Sequence, residues 1–309
     1  MSTVDHPPDA AVLRRRRIRP GEQIMLGLLA LAAIITILVT VGIVYTLVSE
    51  GYQGFFDQES LSDFLTGTTW QPVSDKFGVL PLLTASLMVA LIAAVFAIPI
   101  GVGSAIYLSE YANERFRGIV KPILELLAGM PTVVLGFFAI EAVTPSLIDI
   151  GALPELTFFS MLPAGLVVGL LIVPIIASLS EDALRAVPSA MRFGSYGLGA
   201  TKSITAMKVV LPAALSGVMA SIVLGISRAV GETMVVTLAA GARPNLTLNP
   251  TEEGQTITAV IVQISQGEAT RGSTQYGSIF AIAIVLFLVT LLINVLAMAV
   301  VRRFRTIYE

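Results

Sequence analysis

The chain has 309 residues, 55% of them hydrophobic and 13% charged, against roughly 25% charged in an ordinary soluble domain. A mean hydropathy of +0.85 with 26 Gly and 16 Pro excludes a simple soluble enzyme, a disordered chain and a collagen-like repeat, leaving a polytopic helical membrane protein. The net charge of -2 argues against a nucleic-acid binder, and without Cys and with His6 alone there is no disulfide, zinc cluster or histidine triad.

Residues 1–23 form a basic tail that carries His6 and the run Arg14, Arg15, Arg16, Arg17 and Arg19. The first apolar stretch, 24–48, is 25 residues long. A crossing helix needs about 20 apolar residues, whereas a cleavable secretory core has roughly 7 to 15. The stretch therefore reads as a retained anchor, followed by an external loop at 49–79. Five more spans are predicted at 80–108, 123–143, 161–179, 213–240 and 278–301, making a core of 80–301 and a tail of 302–309.

Charge position tests the six-span reading, because Lys and Arg close to span ends stay on the cytoplasmic side. Arg14 to Arg17 with Arg19, then Arg115, Arg117 and Lys121, then Arg185, Arg192, Lys202 and Lys208, then Arg302, Arg303 and Arg305 all fall on one side of the alternation. The other side holds Lys76, Arg243 and Arg271, together with acids such as Asp57, Glu59, Asp63, Glu252 and Glu253. Both termini are therefore expected in the cytoplasm. Pro99, Pro131 and Pro174 fall within the second, third and fourth spans and predict kinks. Gly165 and Gly169 have the small-xxx-small spacing of close helix packing.

The cytoplasmic segment 180–212 carries helix signals of its own. Ser180 before Glu181 and Asp182 reads as an N-cap with acids in the first turn. Pro188 interrupts, Gly199 permits a left-handed turn, and Thr201 to Val210 reads as a further helix before Pro212. Taken by composition, the segment equally suits an amphipathic helix on the membrane surface.

In the fifth span Arg228 and Glu232 are costly near mid-bilayer unless paired or wet. Their i, i+4 spacing on one continuous helix predicts a shared face and mutual neutralisation. Two readings stand: a structural ion pair, or a guanidinium presented to an oxyanion with Glu232 holding the charge when the site is empty. Glu125 and Glu141 are the other acids inside predicted spans, and bland interfacial positions explain both.

Leu198, Gly199, Ala200 and Thr201, followed by Val209, Val210, Leu211 and Pro212, resemble the cytoplasmic EAA loop of ABC importer permeases, with Gly199 13 positions before Pro212. Phe193, Gly194 and Ser195 stand where that family has Glu-Ala-Ala. Further matches resemble the phosphate-specific (Pst) branch. They are Trp70 with Pro72, Phe77 and Gly78; Leu80 to Leu83; Tyr107 to Tyr111; Glu125 to Thr132 with Gly136, Phe137 and Phe138; and, most distinctive, Arg228, Ala229, Val230, Gly231, Glu232 and Thr233. The Trp-Pro segment and long first external loop are similar to the C-type rather than the A-type subunit.

The resemblance implies an all-α type I importer permease in a prokaryotic cell membrane, forming half of a pathway for inorganic phosphate. It implies a heterodimer with a second, A-type permease, two cytoplasmic ATPase subunits that bind ATP and Mg, and an external phosphate-binding protein. Arg228, Glu232 and Thr233 would line the substrate path. Leu198, Gly199, Ala200, Thr201, Leu211 and Pro212 would couple to the ATPase. The sequence has no Gly-x-x-x-x-Gly-Lys-Ser/Thr motif, so this chain is expected to bind no nucleotide or other cofactor and to be no enzyme. Sulfate or molybdate remains an alternative cargo, and a stand-alone channel or ion-driven carrier an alternative class.

Overall fold

The computed structural model describes residues 20–150, 156–267 and 269–305, so the basic run from Arg14 to Arg19, with His6, and the tail beyond residue 305 lie outside the described residues. The chain divides between Ser49 and Glu50 into two units. The described part of the first belongs to helix α1 (Pro20–Gly51), whose last two residues fall in the second unit and which is apolar on every side. Its few hydroxyls turn back on the helix: Thr36, Thr40 and Thr46 donate to the carbonyls of Ala32, Thr36 and Gly42 at 3.0, 2.9 and 2.9 Å. That is how such side chains are satisfied where no water is present.

The second unit begins with an ordered loop. A wide turn at Tyr52–Phe56 leads to α2 (Leu61–Thr66) and a two-stranded ribbon, β1 (Trp70–Gln71) and β2 (Lys76–Phe77). The strands are antiparallel with Trp70 opposite Phe77, and Asp75 takes the left-handed conformation at the turn, φ 50°. Phe55, Phe64, Trp70 and Phe77 meet edge-on, with Phe55 5.1 Å from both Phe64 and Phe77 and Trp70 5.8 Å from Phe77. Together with Leu82, Ile257, Val260 and Ile282 they close one end of the body.

The centre is the pair α3 (Leu80–Ile106) and α7 (Met161–Arg185). Ala85, Val89, Ala93 and Ala97 of α3 face Val168, Ile172 and Ile176 of α7 in one buried cluster. Small residues make the approach possible. A Cβ on Gly165 would lie 2.7 Å from the Ile92 side chain, and one on Gly169 would lie 2.8 Å from Phe96 Cδ1 and 3.1 Å from the Ala93 carbonyl. In lipid, where apolar side chains gain nothing from leaving water, van der Waals contact of this kind holds helices together. The predicted glycine pair does the work its spacing implies. α11 (Leu215–Val230) joins the pair through Gly225 against Ile176, and α14 (Thr274–Arg305) ends the chain.

Among the described residues, five helical stretches are long and apolar enough to cross a membrane: Gly21–Phe56, Leu80–Tyr111, Thr132–Asp149, Met161–Arg185 and Thr274–Ala299. The pair Lys202–Ala213 and Leu215–Val230, bent by 72° at Ala214, makes a sixth when counted as one. Three sequence expectations change in detail.

The third span does not run over 123–143. α4 (Glu114–Ala128) stops at Gly129, Pro131 precedes α5 (Thr132–Phe138), and the apolar stretch continues through a wide turn at Ala139–Val143 into α6 (Thr144–Asp149). Pro131 breaks the helix because the residue before a proline is pushed out of the helical region, whereas Pro99 and Pro174 stay inside unbroken helices. α4 is strongly amphipathic: Arg117 and Lys121 turn inward while Phe116, Ile119, Ile123 and Leu126 are exposed.

The fourth helix does not end at 179. Ser180 is no N-cap but a fully buried mid-helix residue whose hydroxyl meets that of Ser221 at 2.6 Å. The acids after it are neutralised by α4: Glu181 accepts from Lys121 at 2.8 Å and lies 3.5 Å from Arg117 Nε, and Asp182 also pairs with Lys121. α7 continues past these acids to Arg185.

The fifth span does not run unbroken over 213–240. α11 stops at Val230, and α12 (Met234–Ala239) begins after Gly231, Glu232 and Thr233. An irregular stretch then leads to α13 (Ile257–Gln266).

Candidate functional site

The break after α11 carries the first group of predicted residues. Arg228 and Glu232 are not on one helix face, and among the described residues no ion pair joins them. The expected pair fails because Gly231 ends α11 and Glu232 takes up a different task. Its carboxylate accepts the backbone N–H groups of Met234 at 3.2 Å and Val235 at 3.4 Å, the otherwise orphaned donors at the start of α12. Glu232 is 6% exposed, and its own carbonyl accepts from Thr258 Oγ1 of α13 at 2.8 Å. Thr233, half-buried, donates to the Gly231 carbonyl at 3.3 Å and accepts at its own carbonyl from Thr237.

Arg228 is left exposed on the last turn of α11. The preceding residue is fixed: Ser227 Oγ meets Asn294 Oδ1 of α14 at 2.6 Å. The helix end is thus anchored on both sides while the guanidinium, a planar donor fork for carboxylate or phosphate oxygens, has no carboxylate within 4 Å among the described residues. Glu125 and Glu141 are both exposed.

The second group lies at the other end of α3 and α7. α8 (Ser189–Gly197) is followed by a helix C-terminus of Schellman type: Gly199 N–H donates to Tyr196 O at 2.9 Å and Ala200 N–H to Ser195 O at 3.2 Å. Gly199 has φ +82°, the left-handed conformation that glycine tolerates. Thr201 then caps α9 (Lys202–Thr205), which runs through a wide turn at Ala206–Val210 into α10 (Leu211–Ala213). Ser195 Oγ and Thr205 Oγ1 meet at 2.8 Å, so the two arms of the segment form one unit.

Its inner side carries Met191, Val210 and Leu211, packed with Ala105, Leu184 and Val187. Its outer side is strongly apolar. Leu198 is 91% exposed and Phe193 70%, and Ile204 and Met207 are exposed beside them. Leu198, Gly199, Ala200 and Thr201 therefore form a protruding turn, whereas Leu211 and Pro212 lie half-buried near the 72° bend.

Residues 97–306 match the family described as "Binding-protein-dependent transport system inner membrane component". The chain belongs to that family. The transport component is 34% identical over 263 residues to the "Probable ABC transporter permease protein YqgH" of Bacillus subtilis, covering 84% of each chain. It is 31% identical over 288 residues to the "Phosphate transport system permease protein PstC" of Haemophilus influenzae, covering 87% of this chain and 89% of the relative. Among solved structures, a bacterial ABC transporter involved in the import of alginate has a chain that superposes with a TM-score of 0.65 at 15% identity, covering 94% of this chain and 98% of that one. A chain of the MetNI methionine ABC transporter superposes with a TM-score of 0.54 at 19% identity, covering 74% and 94%. These two establish likeness of fold, that of an ABC importer permease.

Several residues of this inner membrane component escaped sequence reasoning. Arg192, 18% exposed, forms a forked pair with Glu110: Nη2 lies 2.7 Å from Oε1, and Nε donates to both carboxylate oxygens at 3.2 and 3.3 Å. Glu110 sits in the wide turn Tyr107–Tyr111 that ends the α3 stretch. Glu181 and its cations on α4 form the second buried cluster. Burial lowers the pKa of Lys121, but the hydrogen bonds it donates to Asp182 and Glu181, with their negative charges, outweigh that, and the ammonium titrates above its ordinary 10.5. A sign was present in the sequence: each acid stands at the cytoplasmic end of a predicted span, opposite an arginine or lysine of another cytoplasmic segment.

Proposed function

We propose that this chain is the C-type membrane subunit of an ATP-driven importer for inorganic phosphate. It forms half of the path with a second, A-type permease subunit. Two separate ATPase subunits bind ATP and Mg, and an external phosphate-binding protein delivers the cargo. The reading rests on the 31% identity, over most of both chains, to a phosphate transport permease, and on the Arg228 site. The observation that carries the site is the broken fifth span, which leaves Arg228 exposed at a helix end while the nearby acid is occupied in capping α12.

In this reading Arg228 offers its donor fork to a phosphate oxyanion in the path. Glu232 and Thr233 hold the backbone of the break in place, and Glu232 does so without neutralising the arginine. The turn at Leu198, Gly199, Ala200 and Thr201 enters a cleft on the ATPase, with Leu211 and Pro212 carrying its movement to the bend before α11. The exposed Leu198 and Phe193 supply the apolar anchor that a partner would cover.

Removing a charge-assisted hydrogen bond costs a factor of about 10 to 100 in binding. Arg228→Gln in the assembled transporter is therefore expected to lower phosphate uptake by that factor, with Arg228→Lys intermediate because it keeps the charge and loses the fork. Native uptake by Arg228→Gln at a normal amount of assembled complex would remove Arg228 from the path.

A further inference from the structure

Sequence order suggests that force from the coupling segment passes to the helices it joins, α7 and α11. The side-chain contacts lead elsewhere as well. Arg192, on α8, reaches across to Glu110 at the end of the α3 stretch, 82 positions earlier in the chain. Its remaining donors are also engaged: Nη1 donates to Val187 O at 2.6 Å and Nη2 to Leu184 O at 2.9 Å. One guanidinium thus ties together the end of α7, the start of the segment and the end of α3. Ser109 Oγ adds a bond to Glu110 Oε1 at 3.1 Å.

A second contact has the same destination. Lys202, on the other arm of the segment, places Nζ 5.2 Å from the ring centre of Tyr111. Under both contacts lies an apolar cluster in which Ala105 of α3 packs with Leu184, Val187 and Val210. The two arms are fastened to one another by Ser195 and Thr205. Both arms therefore grip one short turn, Tyr107–Tyr111.

We propose that the Glu110–Arg192 pair is a transmission latch, through which the coupling segment moves α3 as one body with itself. The inference rests on the reading of the segment as the ATPase-coupling element. Glu110 and Arg192 act as positioning residues, touching neither phosphate nor nucleotide. A buried, forked ion pair suits this role because parting it would strand both charges away from water. The latch accordingly stays closed through the cycle and passes displacement on. α3 is the helix most intimately packed on α7 through Gly165 and Gly169, so its movement carries the centre of the bundle.

The test uses the complete transporter in vesicles, with its ATPase, second permease and external binding protein, and measures radiolabelled inorganic phosphate imported per ATP hydrolysed. Glu110→Gln and Arg192→Lys preserve size, and the second preserves charge. Each is expected to lower the ratio by about 2- to 30-fold, the range by which a residue along a coupling route alters coupling. ATP hydrolysis stimulated by loaded binding protein should persist, and the double variant should be no worse than the poorer single one.

Equal losses of uptake and hydrolysis, which leave the ratio native, would overturn the latch, as would additive effects in the double variant. Failure of both single variants to assemble would assign the pair to folding and overturn it too. Gly199→Val separates the latch from the reading beneath it. If that variant lowers the ratio while the Glu110 and Arg192 variants do not, the latch alone falls. If it leaves the ratio native, the coupling role of the segment falls with it.

Discussion

Lys121 joins two helices by bridging two carboxylates of a neighbour. It pairs with Glu181 and Asp182 of α7, and the paired ammonium holds its proton above the ordinary pKa. A lysine whose pKa is raised by folding contributes stability that is fully present below the unfolded value and is lost as pH rises through the folded one. In the solubilised protein, Lys121→Met should therefore lower the melting temperature by an amount that is constant from neutral pH to about pH 9 and shrinks above about 10.5. Melting curves of both proteins across that range check it, and a difference that grew with alkalinity would contradict the assignment. Glu232 teaches the complementary lesson. Its spacing from Arg228 is that of an ion pair only along an unbroken helix, and in the folded chain it caps the next helix instead. The sequence signalled that both residues were exceptional; it did not signal the break, because Gly231 between Val230 and Glu232 is equally at home within a membrane helix.

Among the elements, legibility follows the strength of the local signal. α1, α3, α7 and α14 are long apolar runs, and each was legible apart from its ends. The Gly199 turn was legible because a left-handed residue at a helix C-terminus selects glycine. Less legible were α4 and α12, where the local pattern competes with tertiary partners: α4 turns its cations onto Glu181, and α12 begins where a side chain supplies its cap. The turn permits a graded prediction. No heavy atom lies within 4 Å of a Cβ built on Gly199, so replacement costs backbone strain and no collision. Alanine there costs about 1 to 2 kcal/mol, and asparagine, which tolerates the left-handed region, costs less. Phosphate imported per ATP should fall in the order Gly, Asn, Ala. An alanine variant as well coupled as the native chain would show that the turn need not be formed.

For the molecule as a whole, the two ends of α3 differ in chemistry. One end is aromatic, with Phe55, Phe64, Trp70 and Phe77; the other carries the ionic clusters of Glu110, Glu181, Arg192 and Lys121. This division agrees with the charge alternation of the sequence, from which the first end is expected outside. The chain has no Cys, so a single introduced thiol reports its own side. Thr68→Cys should react with a membrane-impermeant maleimide in intact cells, and Ser203→Cys only after permeabilisation; the reverse pattern would invert the topology. The aromatic end has an optical consequence too. Trp70 is the only tryptophan in 309 residues, 3% exposed, with its ring against Phe77. Ultraviolet emission of the unlabelled protein therefore comes from that one indole: blue-shifted and shielded from iodide while the ribbon is closed, and red-shifted and quenched when that end opens. The isolated chain thus contains its own fluorescent probe of the end of the body that carries the ribbon.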